Sequence, residues 1–325
     1  MTQIRIATAG RALALCALAL ACSAHAQTYP TKPVRVIVPF APGGNTDFTA
    51  RAIAERMTPV LKQQVLVENR PGGATNIGSE LVARAAPDGY TLLMAGASNA
   101  INMSLFRKLP YDTLRDFDPI VLCVQGANVL VVHPSVPARN LKELIALAKA
   151  QPGKLNFASS GLGSSNHMAG ELLKVMAGIN IVHIPYKGNA PAITDLLGGH
   201  VEMDFSGVPA LVPHIQSGRV RAIAIGSLKR FPALPQVPTF DESGLKGYEA
   251  TTWFGLMAPA KTPKDIVSRW NSEVGRILKS PELHDRFMNE GIEPMGGSPE
   301  SFGKFIRAEI DKYARVIKAA HVPQQ

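Results

Sequence analysis

Val34-Arg35-Val36-Ile37-Val38-Pro39-Phe40-Ala41-Pro42-Gly43-Gly44-Asn45-Thr46-Asp47 passes from a β-branched strand pattern, through a Pro/Gly turn, into the opening of a helical pattern. That order is the first half of a strand-helix-strand unit. It recurs along the chain. Further strand patterns lie at 65–67, 90–94, 120–124, 129–132, 155–158, 181–184, 201–205, 220–225 and 254–258, and helical patterns at 47–62, 141–150, 167–177 and 190–197 fall between many of them. The expectation is an α/β fold whose sheets are mostly parallel and flanked by helices on both faces.

Two such series fit the length better than one. The first ends near Val124, and the second runs from Val129 to about Ile225. A Pro-rich loop at 232–239 then leads to Trp253-Phe254-Gly255-Leu256-Met257-Ala258, followed by helical patterns at 263–279, 281–289 and 299–319, each opening on Pro. Those helices need a sheet to cover, and the first series offers one. The expected organisation is a lobe of residues 27–128 with 253–325, a second lobe of 129–252, and a hinged cleft between them.

Composition narrows the function classes. With 325 residues, 46% hydrophobic and 18% charged, the chain is too apolar for disorder and too long for one small core. Residues 1–26 read as a leader: Arg5 and Arg11 precede the apolar run 12–21, and Ala24-His25-Ala26 is a small-x-small cleavage site. The run is about half the ~20 residues that cross a bilayer, so export to the periplasm with cleavage after Ala26 is expected. Cys22 lacks a Leu three positions upstream, which argues against a lipid anchor. Cys16 and Cys22 leave with the leader, so Cys123 remains without an internal disulfide partner. The 34 Lys and Arg against 25 Asp and Glu are dispersed, which argues against nucleic acid.

In open sheets, ligands sit where strands hand over to helices. Two junctions qualify, the turn at 41–47 and Ser159-Ser160-Gly161-Leu162-Gly163-Ser164-Ser165-Asn166-His167. Glycines let amide N–H groups turn toward an anion, hydroxyls add donors, and helix N-termini carry partial positive charge. Each turn also reads as an ordinary capped helix start. Asp47 suits a cap or a ligand contact, as do Ser98 and Asn99; His167 suits a cleft donor or a residue packed on its own turn. Lys187 reads as a surface charge, Tyr186 as a cleft wall, and Asp204 as turned away from the cleft or paired. Catalytic signatures are missing: there is no nucleophile elbow, Walker loop or zinc-protease motif. His spacing suggests no metal site, and no cofactor is expected. An exported hydrolase using Ser164 and His167 is the competing reading, without an evident orienting acid.

Six segments in order resemble the Bug family, the TctC-like receptors of tripartite tricarboxylate transporters. They are Pro39-Phe40-Ala41-Pro42-Gly43-Gly44 with Asp47, Asn69-Arg70-Pro71-Gly72-Gly73 with Ile77-Gly78, Pro87-Asp88-Gly89-Tyr90-Thr91, Lys154-Leu155-Asn156-Phe157, Gly163-Ser164-Ser165-Asn166-His167 and Pro185-Tyr186-Lys187-Gly188. The resemblance implies a two-lobed periplasmic binding protein type II fold without catalysis, closing on a small organic carboxylate, a dicarboxylate or aromatic acid among the candidates. It implies delivery to an inner-membrane permease, and a monomer is the default for a receptor that closes. The residues expected at the ligand are Phe40, Ala41, Gly43, Gly44, Asp47, Ser98, Asn99, Ser160, Gly161, Gly163, Ser164, Ser165, His167, Tyr186 and Ser206. Leu162 and Ser98-Asn99 depart from the usual family residues, and an apolar Leu162 at the rim would suit a bulkier acid.

Overall fold

A computed structural model describes residues 29–289 and 291–325. The leader, its cleavage site and Cys22 lie outside the described residues. In chain order the elements are β1 (Val34–Val38), α1 (Asn45–Leu61), β2 (Val65–Asn69), α2 (Asn76–Ala83), β3 (Thr91–Gly96), α3 (Ala97–Leu105), β4 (Phe117–Val132), α4 (Leu141–Ala150), β5 (Asn156–Ser159), α5 (Ser165–Ala177), β6 (Val182–Pro185), α6 (Asn189–Leu197), β7 (Met203–Gly207), α7 (Val208–Gln216), β8 (Arg221–Ile225), β9 (Thr251–Pro259), α8 (Lys264–Leu278), α9 (Pro281–Asn289), β10 (Ile292–Gly296) and α10 (Pro299–Ala319).

The strands form one curled sheet of order β2-β1-β3-β9-β4-β7-β5-β6, with β8 and β10 also paired to β4. Parallel pairing is confined to the outer strands, β2-β1-β3 on one side and β7-β5-β6 on the other. Every pair involving β4 or β9 is antiparallel, so the expected parallel character holds only away from the centre. The patterns at 120–124 and 129–132 belong to one 16-residue strand. Its first part, Phe117 to Ala127, pairs with β9, whereas Asn128 to Val132 pairs with β7.

Period-2 alternation along these strands feeds a separate core on each face. In the first half of the sheet, Val34, Val36 and Val38 point to a cluster with α1, α8 and α9, including Met57, Trp270 and Phe287. Ile37, Leu93 and Ala95 point the other way, to α3 and α10 through Ile101, Phe302 and Ile306. In the second half, Leu130 and Val132 pack with α4 and α5, while Val129 and Val131 pack with α6 and α7. Covering both faces forces the helices to begin along the carboxyl ends of the strands, and those ends meet near the middle of the molecule. Among the described residues, no helix is long and apolar enough to cross a membrane.

Candidate functional site

A cavity of about 510 Å³ lies where the two halves of the sheet meet. Five helices begin at its wall: α1 at Asn45 and Thr46, α3 at Ala97 and Ser98, α5 at Ser165 and Asn166, α6 at Asn189, Ala190 and Pro191, and α7 after Gly207. The crossing strands contribute Asn128, Thr252 and Phe254. Four of the five N-cap positions are glycines, Gly44, Gly96, Gly188 and Gly207, none of which makes a side-chain cap hydrogen bond. By contrast, α4 and α10, which begin elsewhere, are capped by Asn140 Oδ1 accepting from Glu143 N at 2.9 Å and Ser298 Oγ accepting from Ser301 N at 3.1 Å. The first N–H groups of a helix have no partner within it. Around this cavity, several sets are left without a side-chain cap, together with the positive ends of five helix dipoles.

The first turn is set by Asp47, which is buried and does not line the cavity. Its Oδ2 accepts from Gly43 N at 3.0 Å and from Arg51 Nε at 3.0 Å, and its Oδ1 accepts from Asn69 Nδ2 at 2.9 Å. Asn69 Nδ2 also donates to the Phe40 carbonyl at 3.1 Å. Burial alone would raise the Asp47 pKa; the donors Arg51, Gly43 and Asn69 outweigh it and hold the carboxyl below its ordinary value. Phe40, Ala41, Pro42, Gly43 and Gly44 are thereby presented to the cavity. Phe40 meets Phe254 edge-on, ring centroids 6.5 Å apart, as an apolar wall.

The opposing turn is tied by Asn166. Its Oδ1 accepts from Ser165 Oγ at 3.3 Å and Ser160 Oγ at 3.4 Å, and its Nδ2 donates to the Phe205 carbonyl. Ser160, Ser164, Ser165 and Asn166 line the cavity, but Gly161 and Gly163 do not. Gly161 turns its carbonyl inward to accept from Ser164 Oγ at 2.7 Å. Gly163 faces α3, where its carbonyl accepts from Ser98 Oγ at 3.1 Å. Leu162 packs against the cluster containing Ala97 and Leu105 and does not form the rim, which removes the ground for a bulkier acid.

Four other expected residues are committed elsewhere. Asn99 is fully buried; its Oδ1 accepts from Gly96 N at 3.0 Å and its Nδ2 donates to Ser79 Oγ at 2.9 Å, so it fixes the start of α3. His167 is buried and stacked on His183, ring centroids 3.9 Å apart, with its Nδ1 accepting from Gly163 N at 3.4 Å. Tyr186 Oη donates to Asp195 at 2.7 Å, and Ser206 Oγ donates to Asp204 at 2.6 Å beneath α6 and α7. Asp204, expected to be turned from the cleft or paired, does not line the cavity; Lys187, expected as a surface charge, is exposed and also lines the cavity, whereas Tyr186, expected as a cleft wall, does not. Sequence reading also missed Asn128, Asn189, Gly207 and Thr252. No local pattern marks them, because separate elements bring them together.

The hydrolase geometry is absent at Ser164. Its hydroxyl proton goes to the Gly161 carbonyl, and its oxygen accepts from the His167 backbone N at 3.1 Å as a helix cap. The His167 ring faces His183 instead. Among the described residues, Lys187 is the sole charged side chain on the cavity wall, and no cluster of His, Cys, Asp and Glu suits a metal ion. A surface built from uncapped amides, hydroxyls and one cation suits an anion, and no base activates its Ser164 hydroxyl as a nucleophile.

Comparisons with known proteins agree. Residues 49–322 match the model of the family described as tripartite tricarboxylate transporter family receptor. Protein BugT of Bordetella pertussis is 39% identical over 97% of this chain and 94% of its own length. A Rhodopseudomonas palustris protein solved with adipate superposes with a TM-score of 0.84 at 36% identity, covering 90% of this chain and 98% of that one. MatC from the same species, with bound malate, gives a TM-score of 0.81 at 31% identity over 89% of this chain and 100% of its own. The chain therefore belongs to the TctC family of tripartite tricarboxylate transporter receptors, a family of solute-binding proteins and not of enzymes.

Proposed function

We propose that this protein is a periplasmic receptor for a small organic carboxylate, a dicarboxylate being favoured, which it hands to the two membrane subunits of a tripartite transporter. The observation that carries the reading is the convergence of five helix starts, four of them without a side-chain cap, on one cavity whose wall, among the described residues, holds a cation and no carboxylate. Micromolar affinity needs about 8 kcal/mol. Hydrogen bonds to a charged group contribute about 1.5–3 kcal/mol each before association costs, so a few amides and hydroxyls on each carboxylate suffice. The adipate and malate bound by two structural relatives support the ligand class.

In this reading the molecule works as a monomer with two lobes, residues 27–128 with 253–325 and residues 129–252, hinged where β4 and β9 cross. Ligand bridges the turn at 40–44 and the turn at 160–166 only when the cleft is closed, and the closed form is what the permease reads. A thermal-shift screen of the purified protein against mono-, di- and tricarboxylates, aromatic acids and neutral sugars tests it, since a ligand that binds only the folded form raises Tm. Stabilisation by carboxylates is expected, and a response confined to sugars would refute the reading.

A further inference from the structure

Gly163 belongs to a contact between α3 and the turn that opens α5, away from the cavity. Its φ is +73°, and a Cβ there would lie 2.9 Å from Leu105 Cδ2 and 3.0 Å from Asn102 Oδ1. Both neighbours are on α3, across the cleft from the turn that carries Gly163. The adjacent Leu162 packs into the cluster of Ala97, Ala100 and Leu105, and Met168 of α5 is buried in the same cluster with Trp253 and Phe302. The receiving face is rigid: Asn102 Nδ2 donates to the Ala74 carbonyl at 2.7 Å and to Asn76 Oδ1 at 2.8 Å, and Tyr111 Oη donates to Asn76 Oδ1 at 3.0 Å. None of Leu162, Gly163, Asn102 and Leu105 touches the cavity.

We infer that Leu162 and Gly163 form with α3 a latch independent of ligand, with Gly163 the positioning residue that lets the two faces approach; this rests on the hinged-receptor reading. The latch buries apolar surface in the closed form alone, a driving force that needs nothing in the cavity. Apparent affinity scales with the fraction of protein already competent to bind, so the latch raises affinity without contacting ligand. A side chain at 163 wedges the faces apart and is strained at this φ. Shortening Leu162 weakens the same contact with no strain on the backbone.

Small-angle X-ray scattering and amide hydrogen exchange on the unliganded protein test this, with Leu162→Ala and Gly163→Ala beside the wild type. The wild type is expected to be compact. Both variants should show a larger radius of gyration and exchange across 97–105 faster by about tenfold, while circular dichroism stays native. Leu162→Ala decides the matter if Gly163→Ala fails to fold. Scattering from Leu162→Ala identical to that of the wild type would overturn the latch, as would an unliganded wild type already as expanded as the variant. No solute is present, so these outcomes are separate from the carboxylate screen.

Discussion

Ser98 Oγ donates to the Gly163 carbonyl at 3.1 Å, joining the start of α3 to the turn that opens α5. Ser98 also lines the cavity, so one hydroxyl serves both closure and the ligand's surroundings. Ser98→Ala leaves a carbonyl without its partner, at a cost of about 1–3 kcal/mol in the closed form. Affinity for the best carboxylate from the screen, measured by titration calorimetry, should fall about 5- to 150-fold. Unliganded Tm should fall as well, because the latch holds the unliganded protein closed and the same bond is made there, and an unchanged affinity would show that the bond is not made in the bound state.

Asp47 organises the first turn without reaching the cavity. Its pKa lies below the ordinary carboxylate value, so its contribution to stability is fully present above the unfolded value and is lost as pH falls through the lowered folded one. Asp47→Ala strips partners from Gly43, Arg51 and Asn69, and should cost about 1–3 kcal/mol at neutral pH with a smaller deficit in acid. Denaturant melts at both pH values check the sign.

Much of this arrangement is legible in the chain because strand, turn and helix follow one another locally: Val34 to Asp47 and Leu155 to His167 show their roles as helix starts by composition alone. Asn128, Thr252 and Gly207 do not, since they meet only where β4, β9 and β7 cross. The strand β10 was hidden by Pro294 and Gly296; it forms because β4 offers it an open edge from Leu122 to Gly126. His167 reads equally as donor or packed residue until the ring of His183 is seen stacked on it, and nothing near position 167 in the sequence announces position 183.

That stack makes an acid-labile element. Burial, followed by the charges of His183 and Lys174, pushes His167 down to about 3; burial and then Lys174 push His183 down to about 4. Native rings stay neutral where unfolded ones take up protons, so stability should fall as pH drops from the ordinary histidine value near 6.5 to the folded values. In His183→Phe, which retains a stacking ring, the loss of Tm between neutral pH and about pH 4 should be smaller. An unchanged loss would place the acid lability elsewhere.

Asp204 acts with the opposite sign. It is fully buried, with Ser206 Oγ its hydrogen-bond partner and Oδ1 left without one. Burial pushes its pKa up to about 7 against the pull of Ser206. The folded form then holds a proton that the unfolded chain has released, so stability declines as pH rises from the ordinary carboxylate value to about 7. Asp204→Asn removes the cost of ionising in place, and its Tm relative to wild type should be higher at about pH 8 than at about pH 5. A pH-independent difference would mean that the carboxyl keeps one charge state throughout.

Lys187 supplies the cavity's one side-chain charge among the described residues, on an exposed stretch just before α6. The amides at the helix starts have fixed positions, whereas a lysine ammonium on four methylenes can follow the far end of a ligand. Its contribution should therefore depend on whether that end is charged. An exposed ion pair is worth about 0.2–1 kcal/mol, so Lys187→Gln should weaken a dicarboxylate by roughly 1.5- to 5-fold and leave the matched monocarboxylate nearly unaffected. The difference should shrink as salt is added, because screening acts on the exposed pair first. Titration of a dicarboxylate and its monomethyl ester at low and high ionic strength measures both effects, and equal losses for the two ligands would mean that the second charge is held by backbone amides alone.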